Sequence, residues 1–457
     1  MTRTRRSERS CRRGTAEPAL SLIRPGLRIP RHRAITAHVC ALYPFPADEG
    51  LGPNGIYPGE DVSAGGSSWH YDVFQLDTVG VITSPNIVVL GMVGAGKSSA
   101  VKTLLYRTVG MLGSNDKPRW CALLDPKREY GPLARGLGLQ RLALFPGGAT
   151  RLNPLDAGAH VRSLDELRTR RSQMVGALAA SMLHRDLSAT EEVAIGWTTD
   201  LISETEHTNG TVPTLVDVVR LLADPTVEMV ARSAEDDARR PARSIDDVRH
   251  GLSKLLDGPL RGMFNGPLTV SLDWSGRGIV IDLSAVHRGP EALTVVMIAA
   301  TGWLQGLLSA PESEDVPRRI QVLEEIWALL DSERVAKRVA KYYQSCQKPA
   351  RSYGVANISV AHRISDLRAQ SDDGTSAAEV SMGILADTQT RILFRQSSDQ
   401  VPEATELLGL TNVEAEILPR LAHGRALWRV GDHTVIVQHR IGSKEWEICD
   451  TDGRLMG

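Results

Sequence analysis

The segment Gly91-Met-Val-Gly-Ala-Gly96-Lys97-Ser98 is a complete G-x-x-x-x-G-K-S, and it stands directly after a continuous apolar run, Ile87 to Leu90. Behind it Val101, Leu104, Leu105 and Leu112 recur at helical spacing. A strand, a glycine-rich loop and an amphipathic helix are the one context in which this phrase has a physical job. Glycines let successive backbone N–H groups converge on phosphate oxygens, and the helix N-terminus adds its positive end. Lys97 then reaches the β/γ-phosphates and Ser98 ligates Mg²⁺. The expected nucleotide-binding residues are therefore Gly91, Met92, Val93, Gly94, Ala95, Gly96, Lys97, Ser98 and Ser99. A chance glycine-rich turn is the alternative, and the flanking strand and helix argue against it.

Further short apolar runs recur at Ala122 to Leu124, Leu142 to Phe145, Ile279 to Leu283, Ile320 to Leu323, Asn357 to Val360 and Ile392 to Phe394. Each has the length of a strand buried on both faces, and helical patterns lie between several of them. That combination predicts a mostly parallel α/β sheet. Before it, residues 37–85 are rich in Gly, Pro and Asp with short apolar pieces, which predicts a small β-rich region. Residues 161–260 lack strand-like runs. Ser188 and Glu191 stand there at capping-box spacing, and Leu215, Val218, Val219 and Leu222 repeat at helical spacing, so an all-helical insertion is expected. The core is then divided into 86–160 and 261–425. At the end, Ala426 to Val430 and Thr434 to Gln438 flank Gly431 and Asp432, the pattern of a C-terminal β-hairpin, followed by a tail to residue 457.

Composition excludes several classes. Lys+Arg 53 against Asp+Glu 54 leaves a net charge of -1, which argues against a chain that coats nucleic acid over its whole surface. The five cysteines are scattered without a CxxC pair, so neither a zinc site nor a disulfide framework is expected, and a reducing compartment is implied. The longest uncharged stretch, Ala292 to Ala310, carries Thr294, Thr301, Gly302, Gln305, Gly306 and Ser309. It reads as a buried core helix, and no transmembrane segment is expected. The first 36 residues are basic, with ten arginines before Ala34 against Glu8 and Glu17, and are expected to form a disordered tail.

A phosphate clamp alone does not hydrolyse; a second strand must end in acids. Glu324 and Glu325 follow the run Ile320 to Leu323, at the carboxyl end where open α/β sheets place their chemistry. Glu324 is the expected Mg²⁺ ligand, directly or through water, and Glu325 the residue that orients or deprotonates the attacking water. Without the phosphate loop, two glutamates opening a helix would be the reading. His362 ends the run Asn357 to Ala361, where a neutral donor could detect the γ-phosphate; a satisfied structural histidine is the alternative. A cation supplied in trans would stabilise the transition state, and Arg391 and Arg395 are the candidates. Ordinary ion pairing on one strand face is the alternative for both.

The order of Gly91–Ser98, Asp125-Pro-Lys-Arg-Glu-Tyr130, Asn153-Pro-Leu-Asp156, Leu323-Glu-Glu-Ile-Trp327, Tyr353-Gly354 to His362-Arg363, and Gly424-Arg-Ala-Leu-Trp428 resembles the conjugative-transfer, type IV secretion ATPases of the HerA/FtsK superfamily. The similarity is greatest to short actinobacterial members described as ATP/GTP-binding proteins. This resemblance implies a RecA-like P-loop NTPase core, ATP with Mg²⁺, and a homo-oligomer, a hexamer, whose sites lie between subunits. It implies Lys97 and Ser98 as Walker A, Glu324 and Glu325 as Walker B, and His362 where the family usually has a γ-phosphate-sensing glutamine. Two departures stand out: Glu324 replaces an aspartate, and Arg128 replaces the glycine of the Asp-Pro-Lys-Gly-Glu phrase. Only about 90 residues precede the loop, so the large membrane-associated domain of many relatives is expected to be missing or reduced. The expected setting is cytoplasmic or peripheral at the inner face of the plasma membrane, with anchoring supplied by secretion-channel proteins and with DNA or protein as the substrate moved. A double-stranded DNA translocase of the HerA or FtsK type, and a nucleotide-binding scaffold with little turnover, are the other readings.

Overall fold

Strands β3 (Ile87–Leu90), β4 (Arg119–Asp125), β5 (Gln140–Ala143), β6 (Gly278–Asp282), β7 (Arg318–Leu323), β8 (Val355–Ala361) and β9 (Thr390–Phe394) run parallel, in the order β9-β3-β8-β7-β4-β6-β5. The computed structural model describes residues 50–112, 118–156, 158, 163–227, 245–270, 274–309, 316–324, 342, 345, 353–362, 385 and 387–449. All belong to the second of two compact units, Asp48–Gly457; the first, Met1–Ala47, lies outside the described residues and takes the expected basic tail with it.

Every residue of β3, β4, β6 and β8 is buried, which is why these strands read as continuous apolar runs rather than alternating ones. Alternate residues serve two different cores. Val88 and Leu90 of β3, with Trp120, Ala122 and Leu124 of β4, face one layer of helices. Ile87 and Val89, with Cys121 and Leu123, face the other. The second layer holds α1 (Val73–Thr78), α2 (Lys97–Gly110) and α3 (Gly131–Leu137).

The first layer holds α4 (Leu164–Leu183), α5 (Ala189–Asn209), α6 (Leu215–Ala223), α7 (Asp246–Asp257) and α8 (Pro290–Leu308). The stretch 161–260 thus carries helices and no strand among its described residues. Helix α5 opens on the capping box visible in the sequence: Ser188 Oγ accepts from Glu191 N–H, and the Glu191 carboxylate accepts from Ser188 N–H at 2.7 Å. Helix α8 is long and apolar enough to cross a membrane, yet 72% of that window is buried within the protein. It is apolar all round because the sheet lies on one side and α4 on another. Gly302 marks the closest approach, since a Cβ there would lie 1.8 Å from Met174 Cε of α4.

The sheet does not stop at β9. Strands β10 (Arg425–Val430) and β11 (His433–His439) form the hairpin, joined by Gly431 and Asp432, and β10 pairs antiparallel with β9. Then β11 pairs with β1 (Ile56–Asp61), which pairs with β2 (Ser67–Tyr71). Both ends of the chain therefore extend the core sheet to 11 strands rather than forming layers of their own. An uncovered β9 would present a row of unpaired backbone groups, and the hairpin removes that edge. A short helix at the end, α10 (Ser443–Cys449), packs back on α2, where Glu445 pairs with Arg107 Nη2 at 2.6 Å. The sequence pattern did not predict it. A buried ion pair secures the amino end of β4: Arg119 donates to both oxygens of Asp72 at 2.9 and 2.8 Å, and Asp72 also caps α1.

Candidate active site

The parallel register aligns the carboxyl ends of the strands. Leu90 sits opposite Ala361 and Leu393, Leu323 opposite Leu124, and Asp125 opposite Asp282. Along this edge the chain therefore presents, in spatial order, Arg395, Gly91, His362, Glu324 and Asp125. Strand β8 separates the phosphate-loop strand from β7, so Gly91 and Glu324 begin about 10 Å apart, two strand spacings, with His362 between them.

Loop 91–96 is built where ordinary residues do not fit. Gly91 has φ 157, and a Cβ on it would lie 2.4 Å from Phe394 Cβ on the adjacent strand. Gly94 has φ 75, and Gly96, the residue before α2, has φ 104. Three hydrogen bonds pin the loop: Met92 N–H donates to Arg395 C=O at 3.0 Å, Ala95 N–H to Met92 C=O at 3.3 Å, and Gly424 N–H to Ala95 C=O at 3.2 Å. The Gly424-Arg-Ala-Leu-Trp428 phrase, distant in sequence, thus supports the loop from behind. Lys97 begins α2 and is buried, its ammonium donating to the carbonyls of Met92, at 3.0 Å, and Gly91.

The Asp125 phrase is a turn organised by its own first residue. The buried Asp125 carboxylate accepts from Glu129 N–H and Tyr130 N–H, both at 2.9 Å. Burial pushes its pKa up against the pull of these two donors. Arg128 takes φ 59, the left-handed conformation that explains why glycine suits this position. Tyr130 is fully buried, and its hydroxyl donates to the Glu324 carboxylate. Burial first, and the neighbouring Glu324 charge second, raise its pKa well above the usual tyrosine range, so the hydroxyl remains a donor. Lys127 Nζ lies 3.2 Å from His362 Nε2. Ser98, Asp125, Lys127, Glu129, Glu324 and His362 line one cleft of about 250 Å³ above Tyr130.

The structure places Gly91 to Ser99, Glu324 and His362, expected from the sequence to form the site, along one edge of one sheet. Glu325 lies outside the described residues, as does Arg363. Arg391 stands elsewhere: it is mid-strand on β9, and its guanidinium donates to the carbonyls of Leu408, at 2.9 Å, and Leu385, at 3.1 Å. It faces Arg429 across the β9–β10 pair, and Arg429 also donates to Leu408, at 2.8 Å. Both cations meet the carboxyl end of α9 (Val401–Leu408). Asn153 is structural as well, since its amide donates to Pro213 C=O at 2.9 Å and its oxygen accepts from Leu155 N–H at 3.1 Å. Sequence reasoning gave Lys127 and Tyr130 no role, although the Asp125 phrase ends the strand next to β7 and so had to approach Glu324.

The donor set suits Mg²⁺. Ser98 offers a hydroxyl and Glu324 a carboxylate on the same cleft, both hard oxygen donors. No group of three His, Cys, Asp or Glu able to hold a metal occurs among the described residues.

No family model matches the chain, and no curated protein matches it. Solved structures do. The chain is similar to VirB4 of Thermoanaerobacter pseudethanolicus, with a TM-score of 0.69 at 19% identity, covering 87% of this chain and 99% of that one. It is also similar to the plasmid coupling protein TrwB in complex with ADP and Mg²⁺, with a TM-score of 0.56 at 14% identity over 86% of this chain and 91% of that one. TrwB in complex with the non-hydrolysable ATP analogue ADPNP gives a TM-score of 0.55 at 14% identity over the same shares. The fold is thus the RecA-like P-loop α/β fold of these proteins, which are of the kind that the ordered motifs resemble.

Proposed function

We propose that the chain is an ATP-hydrolysing motor of conjugative DNA transfer or type IV secretion, working as a homo-oligomeric ring, a hexamer, at the cytoplasmic face of the plasma membrane. The observation that carries the proposal is the convergence of Ser98, from the first turn of α2, with Asp125, Glu324 and His362, from three different strand ends, on one cleft beside the glycine loop. The shared fold with VirB4 and TrwB supports it.

The N–H groups of Gly94 to Ser98 would receive the phosphates, with Lys97 exchanging its two loop carbonyls for phosphate oxygens. Ser98 and Glu324 would hold Mg²⁺, which when bound neutralises charge on the transferred phosphoryl. Glu325 would orient or deprotonate the attacking water. His362 would answer to the γ-phosphate, a reading supported by its position at the end of β8, between β3 and β7 and beside Lys127. The carbonyl partners of Arg391 support a capping role for it, which leaves Arg395 as the remaining candidate for the cation supplied to a neighbouring subunit. DNA or a protein would be the substrate moved, and a membrane channel protein the docking partner.

The test is phosphate release from ATP and Mg²⁺ by the wild type and by Lys97→Ala, with light scattering for assembly. The proposal expects release by the wild type that is lost in K97A without loss of fold, and ATP-dependent assembly of the wild type. Full release by K97A would overturn it, and ATP binding without release by the wild type would favour a scaffold.

A further inference from the structure

We propose that Tyr130 is a positioning residue for Glu324, and that the Asp125-to-Tyr130 turn is the strut that sets the metal-holding carboxylate. The inference rests on the reading of Glu324 as a Mg²⁺ ligand.

A glutamate at a strand end has one more rotatable bond than the aspartate found in the resembled family, and each free rotamer lowers the fraction of time its carboxylate spends where a cation needs it. The neighbouring strand answers this with a fixed donor. Strand β4 lies beside β7, with Leu124 opposite Leu323, so the turn leaving β4 passes next to Glu324. Asp125 fixes the backbone of that turn through the N–H groups of Glu129 and Tyr130. Immediately after Tyr130, Gly131 and Pro132 open α3, so the tyrosine is held from both sides.

Its ring is held as well. Tyr130 is 0% exposed, and the Lys102 ammonium lies 5.3 Å from its ring centroid. Lys102 comes from α2, is itself fully buried, and stands 3.9 Å from Glu129 Oε2. A cation against the face of a buried ring resists its displacement. The hydroxyl thus has one direction available, toward Glu324, and the bond to a carboxylate is of the strong, charge-assisted kind. Such outer partners fix the orientation of a metal ligand, and their removal typically costs about 10–100-fold in metal affinity.

The experiment is a double-mutant cycle between Tyr130→Phe and Glu324→Gln. The readout is the free Mg²⁺ concentration at which mant-ATP fluorescence reports half of its Mg²⁺-dependent gain in binding. Y130F removes one oxygen and keeps the ring, so it is expected to fold cooperatively with a melting temperature lowered only by the loss of one charged hydrogen bond, and its metal-free mant-ATP affinity should match the wild type. Its Mg²⁺ midpoint should rise about 10-fold or more. In the E324Q background, Y130F should add less than twofold. If E324Q leaves the midpoint in place, the assignment of Glu324 to Mg²⁺ fails. If E324Q moves it and Y130F does not, or Y130F moves it equally in both backgrounds, the positioning role of Tyr130 fails while the assignment of Glu324 stands.

Discussion

Two glycines of the phosphate loop are required for different reasons, and alanine should expose the difference. At Gly91 a Cβ would lie 2.4 Å from Phe394 Cβ and 3.2 Å from Phe394 Cα. Ordinary contact begins near 3.4 Å, so β9 or the loop must yield by about an ångström, and the neighbour includes backbone that cannot rotate away. Overpacking of that kind costs about 1–3 kcal/mol. The φ of 157 lies in territory left to glycine and adds a similar amount, on the order of 1–3 kcal/mol. Gly94 has open space around a Cβ, and its φ of 75 carries only the left-handed penalty, about 1–2 kcal/mol. Gly91→Ala should therefore lose about 2–6 kcal/mol, a large share of a typical domain's 5–15 kcal/mol, and Gly94→Ala only about 1–2 kcal/mol. Urea unfolding followed by tryptophan fluorescence measures both. A Gly91→Ala protein as stable as the wild type, or a larger loss at Gly94, would refute the close approach of β9 to the loop.

Three further outcomes follow from local geometry. Arg128→Gly should melt at the same temperature or higher, because relief of φ 59 outweighs a 3.7 Å ion pair to Asp282 whose arginine side chain is 62% exposed, whereas Arg128→Val should melt lower. His439 is half-buried among Trp428, Phe394 and β10, and desolvation, then the Arg107 charge, hold its pKa down at about 3 from an ordinary 6.5. Folded and unfolded chains carry it neutral above pH 6.5, and below that only the unfolded chain takes the proton, so stability should fall by about 1.4 kcal/mol per pH unit as pH drops toward 3. His439→Gln, which keeps an acceptor for Trp428 Nε1–H, should remove that component from urea titrations run across this range. Arg391→Gln should lower the melting temperature through loss of charged bonds to Leu408 and Leu385, about 1.5–3 kcal/mol each, with phosphate release per folded molecule unchanged. Abolished release with unchanged melting would return Arg391 to the role of a trans cation.

What the sequence revealed was local. The run Ile87 to Leu90, the glycine phrase and the helical period to Leu112 are contiguous, and β3, β4, β6 and β8 announce themselves by burial on both faces. The Ser188–Glu191 cap and the buried helix Pro290–Leu308 are equally local. What it hid was pairing at long range. Gly59 lies opposite His439, so β1 and β11 complete one sheet from opposite ends of the chain, and no periodicity encodes that register. Tyr130 and Glu324 meet from 194 positions apart, and only the order of β4 and β7 brings them together. Arg391 and Arg395 are indistinguishable as a sequence pattern. They separate once α9 ends against the first and the glycine loop against the carbonyl of the second.

The central claim is that these strand ends form a site that hydrolyses ATP. Single-turnover and steady-state phosphate release, measured for the wild type and for Glu325→Gln with mant-ATP binding in parallel, tests it most directly. The account predicts release by the wild type and its loss in E325Q, with mant-ATP affinity within threefold of the wild type and ATP-dependent assembly retained. Undiminished release by E325Q would contradict the assignment of the water-activating step to the acidic end of β7.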